Sequence, residues 1–76
     1  MSPEKNQHPL RLLGRKEVQE RTGLSRSTIY QKISRREFPA PVPLSARAVA
    51  WPEASIDAWI RERIAASAAD GEVSAP

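Results

Sequence analysis

Arg26, Ser27, Thr28, Tyr30, Gln31, Lys32, Arg35 and Arg36 crowd one short stretch of a 76-residue chain, and no carboxylate falls between Thr22 and Arg36. Such a set suits a polyanion. Guanidinium and carboxamide groups make paired hydrogen bonds to guanine and adenine edges, so Arg26 and Gln31 are the candidates for reading bases. Tyr30, Lys32, Arg35 and Arg36 suit phosphates, which fix register without reporting sequence. Ser25, Arg26, Ser27 and Thr28 open a predicted helix, where free backbone N–H groups attract anions. Thr28 serves equally well as a helix-start hydroxyl bonded to its own backbone, and Tyr30 as a ring laid over the domain edge. Arg15 and Lys16, upstream, are placed to meet a backbone across the groove.

These side chains need a helix held at a defined angle. Gly23 tolerates positive φ and can end a preceding helix, and Ser25 is a preferred N-cap for the next. Ile29 and Ile33 recur four residues apart on one side of residues 26–36, with Leu24 just ahead. The first helix is read over Arg15–Arg21, with Gly14 as N-cap and Val18 as its one core residue. Leu10, Leu12 and Leu13 form an apolar entry expected to pack beneath it. Two helices joined by so short a turn make a helix-turn-helix unit whose second helix recognises DNA.

Beyond Phe38 the texture changes. Pro39, Pro41 and Pro43 alternate with Ala40, Val42 and Leu44, which forbids helix and favours extended chain. A second apolar segment, Ala48–Trp51, suggests a small β-hairpin with Arg47 near its tip. Pro52 and Glu53 then open a helix of about three turns whose apolar stripe is Ile56, Trp59, Ile60 and Ile64. Asp57, Arg61, Glu62 and Arg63 give its other side mixed charge, so it is read as a packing helix. Trp51 and Trp59 lie in apolar segments and are expected in the core or anchoring the hairpin rather than stacked on bases. Residues 1–9 read as a disordered arm, 10–66 as the binding domain and 67–76 as a disordered tail. His8 falls in the arm with no metal-ligating partner.

Composition excludes several classes. The chain has no cysteine and one histidine, so thiolate metal sites, disulfides and His-centred catalysis lack their parts. Three separated glycines cannot form a phosphate cradle. An enzyme is not expected, nor a cofactor or small-molecule ligand. No apolar run reaches the ~18 residues of a membrane span, and the start shows no secretion signal, so a cytoplasmic, nucleoid-associated protein is expected. The formal charge is only +3, but residues 11–47 hold nine basic and three acidic residues while the remainder holds three basic and six acidic. That asymmetry is the footprint of a polyanion-binding face.

Leu12 to Ile64 resembles the AlpA family of small phage and prophage regulators, which are relatives of excisionases. The residues that carry the resemblance are the LLGRKEVQERTGLSRSTIY run, Phe38-Pro39 with Pro41 and Leu44, Arg47, Trp51, and Ile56-Asp57-Ala58-Trp59-Ile60. It implies a MerR-type winged helix-turn-helix: mainly α, three helices plus a small β-hairpin wing. It also implies that the second helix enters the major groove and that residues 44–51 form the wing, with Arg47 reaching the backbone or minor groove. Ser45, Ala46 and Ala50 stand where the family's wing usually carries glycine, and Ser55 where it often carries an acid. The reading is a sequence-specific, double-stranded DNA-binding transcriptional regulator of a phage or mobile element. Its partners beside DNA would be an integrase or further copies of itself on adjacent sites. The rival readings are an excisionase that bends attachment-site DNA and a protein-binding adaptor whose basic helix meets an acidic partner.

Overall fold

The sheet is built around its middle strand. A computed structural model describes residues 10–70, with side chains to residue 68, and gives the order β1 (Leu12–Gly14), α1 (Arg15–Thr22), α2 (Arg26–Ser34), β2 (Val42–Pro43), β3 (Val49–Pro52) and α3 (Glu53–Asp70). Strand β3 lies between β1 and β2 and is antiparallel to both. Leu13 faces Trp51 across one pair and Val42 faces Ala50 across the other. Because side chains alternate along a strand, Leu13 and Trp51 both turn into the core. That core is Leu13, Val18, Ile29, Phe38, Trp51 and Ile56, with Leu24, Ile33, Val49, Trp59 and Ile60 packed around it. Three helices, a small sheet and a hairpin wing match the fold class read from the sequence.

The turn between α1 and α2 is closed by local chemistry. Gly23 sits at φ 75° and its N–H donates to the Gln19 carbonyl at 2.8 Å. The Thr22 hydroxyl donates to the Val18 carbonyl at 2.8 Å and accepts from the Leu24 N–H at 3.3 Å. Ser25 then caps α2, its Oγ accepting from the Thr28 N–H at 3.2 Å. At the far end, Glu37 N–H donates to the Lys32 carbonyl at 2.7 Å and Arg36 N–H to the Ile33 carbonyl at 3.0 Å. This pair of bonds is a Schellman motif with Arg36, at φ 61°, in the left-handed position that glycine usually takes.

Three features differ from the sequence expectations. First, the apolar entry is a strand rather than a pad beneath α1: Leu13 is buried, while Leu10 and Leu12 face outward. Three residues are too few for alternation to announce a strand in sequence. Second, Ile64 is 63% exposed and is not a core residue. The inner face of α3 is spent by Ile60, and residues 61–68 are all exposed. Third, α3 spans 18 residues rather than about three turns and runs to Asp70. Residues 67–70 of the tail read over 67–76 therefore belong to α3, while 71–76 and the N-terminal arm at 1–9, including His8, lie outside the described residues.

The wing turn forms without glycine. Leu44 N–H donates to the Ala48 carbonyl at 2.8 Å, and the Ser45 Oγ accepts from the Arg47 N–H at 3.4 Å. Among the described residues only Gly23 and Arg36 have positive φ, so no wing residue needs the left-handed region that would call for glycine.

The two left-handed positions give a paired prediction for urea unfolding. A Cβ on Gly23 would meet nothing within 4 Å, so Gly23→Ala costs only backbone strain, about 1–2 kcal/mol. Arg36→Gly should raise stability by roughly 0.5–1 kcal/mol, the strain relieved less the entropy glycine loses on folding.

Candidate nucleic-acid interface

Helix α2 separates its side chains by chemistry. Ile29 is fully buried and Ile33 half-buried, whereas Arg26, Ser27, Tyr30, Gln31 and Ser34 are exposed. At 3.6 residues per turn these five fall within an arc of about 140°. Arg35 and Arg36 follow directly at its C-terminal end, both exposed. Ser34 is in the arc although the sequence reading passed over it, and its hydroxyl donates to the Gln31 carbonyl at 2.7 Å. Its short side chain, between Ile33 and Arg35, gave no chemical signal of its own.

Two of the singled-out residues fall outside this arc, Thr28 beside its edge and Lys32 on the far side of the helix. Lys32 is half-buried with its Nζ 4.0 Å from a Glu37 carboxylate oxygen. Thr28 is half-buried and its Oγ1 accepts from the Ser25 hydroxyl at 2.9 Å. Ser25 thus holds the first turn twice, through the Thr28 N–H and the Thr28 hydroxyl. Tyr30 keeps part of its ring in solvent and sets the rest 6.5 Å from the Trp51 ring, tilted at 60°. At the start of α1, Arg15 is half-buried and Lys16 exposed; Arg47 is exposed in the wing turn.

Helix and wing are tied to the same indole. Trp51 belongs to β3, is fully buried, and donates from Nε1 to the Pro39 carbonyl at 2.9 Å. Trp59 on α3 donates from Nε1 to the Glu37 carbonyl at 2.9 Å. Phe38, between these two acceptors, meets Trp59 at 4.9 Å and Trp51 at 6.5 Å, both edge-on. All four aromatic residues of the chain form one cluster that fixes the exit of α2 against the hairpin. Both tryptophans are therefore packing groups, as the apolar segments around them implied.

The charge of the basic segment is unevenly available. Arg21 lies 3.0 Å from Glu17, 3.0 Å from Glu53 and 3.7 Å from Asp57, while Arg11 lies 3.2 Å from Glu17 and 3.7 Å from Glu53. Hydrogen bonding to Glu17, then to Glu53, raises the Arg21 guanidinium above its ordinary range, so it stays charged and occupied. Sequence alone counted both arginines toward a cationic face; the fold brings carboxylates from α3 to them. Arg15, Lys16, Arg26, Arg35, Arg36 and Arg47 have no carboxylate partner among the described residues. They include the start of α1, both ends of α2 and the wing.

Residues 11–64 match the model of the family described as prophage CP4-57 regulatory protein (AlpA). The chain belongs to the AlpA family. This is a family of regulators and not of enzymes. The uncharacterized protein ORF88 of Enterobacteria phage P4 is 49% identical over 49 residues, covering 64% of this chain and 56% of its own length. The DNA-binding transcriptional activator AlpA of Escherichia coli is 33% identical over 64 residues, covering 76% of this chain and 91% of its own. The chain thus spans just over half of the phage relative and nearly all of the bacterial one. Among the described residues no helix is long and apolar enough to cross a membrane.

The geometry separates scaffold from free groups on α2. Ser25→Ala should lower stability by about 1 kcal/mol through loss of the cap. Gln31→Ala, on the exposed arc, should stay within about 0.5 kcal/mol of the parent. Chemical denaturation of the two variants side by side is the check.

Proposed function

We propose that this AlpA-family chain is a sequence-specific, double-stranded DNA-binding transcriptional regulator of a phage or mobile element. The observation that carries the reading is the exposed, carboxylate-free arc of α2, set opposite the buried Ile29. The name of the bacterial relative, a DNA-binding transcriptional activator, supports the same reading.

In this mechanism α2 lies in the major groove. Arg26 at its first turn and Gln31 at its middle make the paired hydrogen bonds that select bases. Ser25, Ser27 and Thr28 present the helix start to a phosphate, though Ser25 and Thr28 first satisfy each other. Tyr30, Lys32, Arg35 and Arg36 grip the backbone and set register, and Lys32 exchanges Glu37 for phosphate as it does so. Arg15 and Lys16 hold the backbone at the start of α1, and Arg47 at the wing tip reaches backbone or minor groove. A single module this small contacts few base pairs, so useful affinity requires adjacent sites or an integrase beside it. Its place of action is nucleoid DNA in the cytoplasm.

Arg36 supplies a separate argument. A left-handed residue other than glycine costs about 1–2 kcal/mol, and Arg36 is exposed with no carboxylate partner among the described residues. A strained position held by a cation rather than by glycine fits a residue kept for its charge.

Selection of bound duplexes followed by salt titration tests the reading. With about six phosphate contacts, affinity should fall roughly a thousandfold between ~50 and ~200 mM salt. A sequence-dependent remainder should persist. Arg26→Ala should cost about 1–3 kcal/mol on the selected site and much less on random duplex. Arg36→Gly should weaken all duplexes alike and reduce the salt slope by about one. Failure to bind any duplex at low salt would sink the proposal and favour a protein-binding adaptor.

A further inference from the structure

The outer side of α2 carries a stripe at regular spacing. Ser27, Tyr30, Gln31 and Ser34 stand at i, i+3, i+4 and i+7, and all four are exposed. A helix lying along the major groove reads base edges through a stripe of this spacing. Its length also fits: Ser27 and Ser34 are about 10.5 Å apart along the axis, roughly three base-pair steps.

Ser34 holds the middle of the exposed arc. At about 100° per residue it lies roughly 80° from Arg26 at one rim and roughly 60° from Gln31 at the other. A short side chain at the middle lets the helix axis come close to the base edges, while the longer Arg26 and Gln31 side chains reach in from the rims. Ser34 closes α2, and beyond it stand Arg35 and Arg36, the phosphate-gripping residues of the proposed function.

The hydrogen bond that Ser34 already makes fixes what it can offer. Its hydroxyl donates to the Gln31 carbonyl at 2.7 Å, and a carbonyl can only accept. The single proton is therefore committed to the helix, as an i−3 bond to the backbone, and the exposed oxygen is left as an acceptor. Ser27 lacks this constraint. Its Oγ lies 3.4 Å from the Ser25 Oγ, beyond the ordinary O–H···O range, so its proton is free to turn.

We propose that Ser34 is a specificity-determining residue whose oxygen accepts a hydrogen bond from the exocyclic amine of adenine or cytosine. On the strand it faces, adenine N6 and cytosine N4 are the major-groove donors. Guanine and thymine present acceptors there and leave the Ser34 oxygen unpaired. This role rests on the reading that α2 lies in the major groove. Within it, Ser34 adds a base contact of opposite polarity to that of Arg26, which can only donate.

Duplexes selected from a random pool by the parent chain and by Ser34→Ala locate the base pair concerned. One position should lose its preference in the variant while the others keep theirs. Alanine is a strong helix former and the position is exposed, so the variant keeps the fold. At that pair, 2-aminopurine in place of adenine, or a methyl on cytosine N4, removes the groove-facing N–H and preserves pairing. Parent binding should then fall about threefold to tenfold, the worth of one hydrogen bond, and Ser34→Ala binding should not fall. A parent that selects a site of which every position survives Ser34→Ala would overturn the role and leave the proposed function standing. Equal losses in parent and variant on removing the amine would also overturn it, since another group is then the acceptor. A parent that selects no sequence at all would overturn both.

Discussion

Two indole N–H groups, donating to carbonyls two residues apart, hold the segment on which the geometry depends. Trp51 reaches Pro39 and Trp59 reaches Glu37, with the Phe38 ring between them. Neither bond is a large energy alone, about 1 kcal/mol net each, but both are made by groups already fixed in a strand and a helix. Residues 37–39 link α2 to the wing. Pinning that link from both sides sets the angle between them, which the proposed two-element binding surface requires. Phe38 adds the apolar contact that makes the arrangement a core rather than a strap.

The ion-pair cluster divides the surface electrically. Arg11 and Arg21 are turned toward Glu17, Glu53 and Asp57. These pairs are partly exposed, so their gain in stability is modest. Their larger effect is on the map of charge. They leave the cations at the start of α1, at both ends of α2 and on the wing without a carboxylate partner among the described residues.

Local rules and the proposed binding residues conflict at a few places, and the chain resolves each differently. Ser25 follows the capping rule and would serve a phosphate as well. Arg36 breaks the rule that glycine ends a Schellman motif, and the exposed cation is what the breach retains. In the wing the resemblance to the family led one to expect glycine at the turn, yet Ser45 and Ala46 suffice because the loop closes by the Leu44 and Ser45 hydrogen bonds to Ala48.

Short-range physics was legible from the residues alone. Gly23 and Ser25 marked the turn, Ile29 and Ile33 marked the buried side of α2, alternating prolines marked the extended run, and Pro52-Glu53 marked the last helix. Each depends on backbone preference or on spacing within one element, which a linear sequence displays. The helix-turn-helix and its carboxylate-free exposed arc followed from these signals, and the resemblance to the AlpA family from the residues that carry it. Tertiary structure decided what depends on neighbours far along the chain. It made Leu12–Gly14 a strand by pairing it with Trp51, left Ile64 beyond the reach of the core, and withdrew Arg11 and Arg21 from the cationic face by bringing α3 carboxylates to them. Whether an apolar or charged group is covered is settled by what packs across from it, and that partner is chosen only when the chain closes on itself.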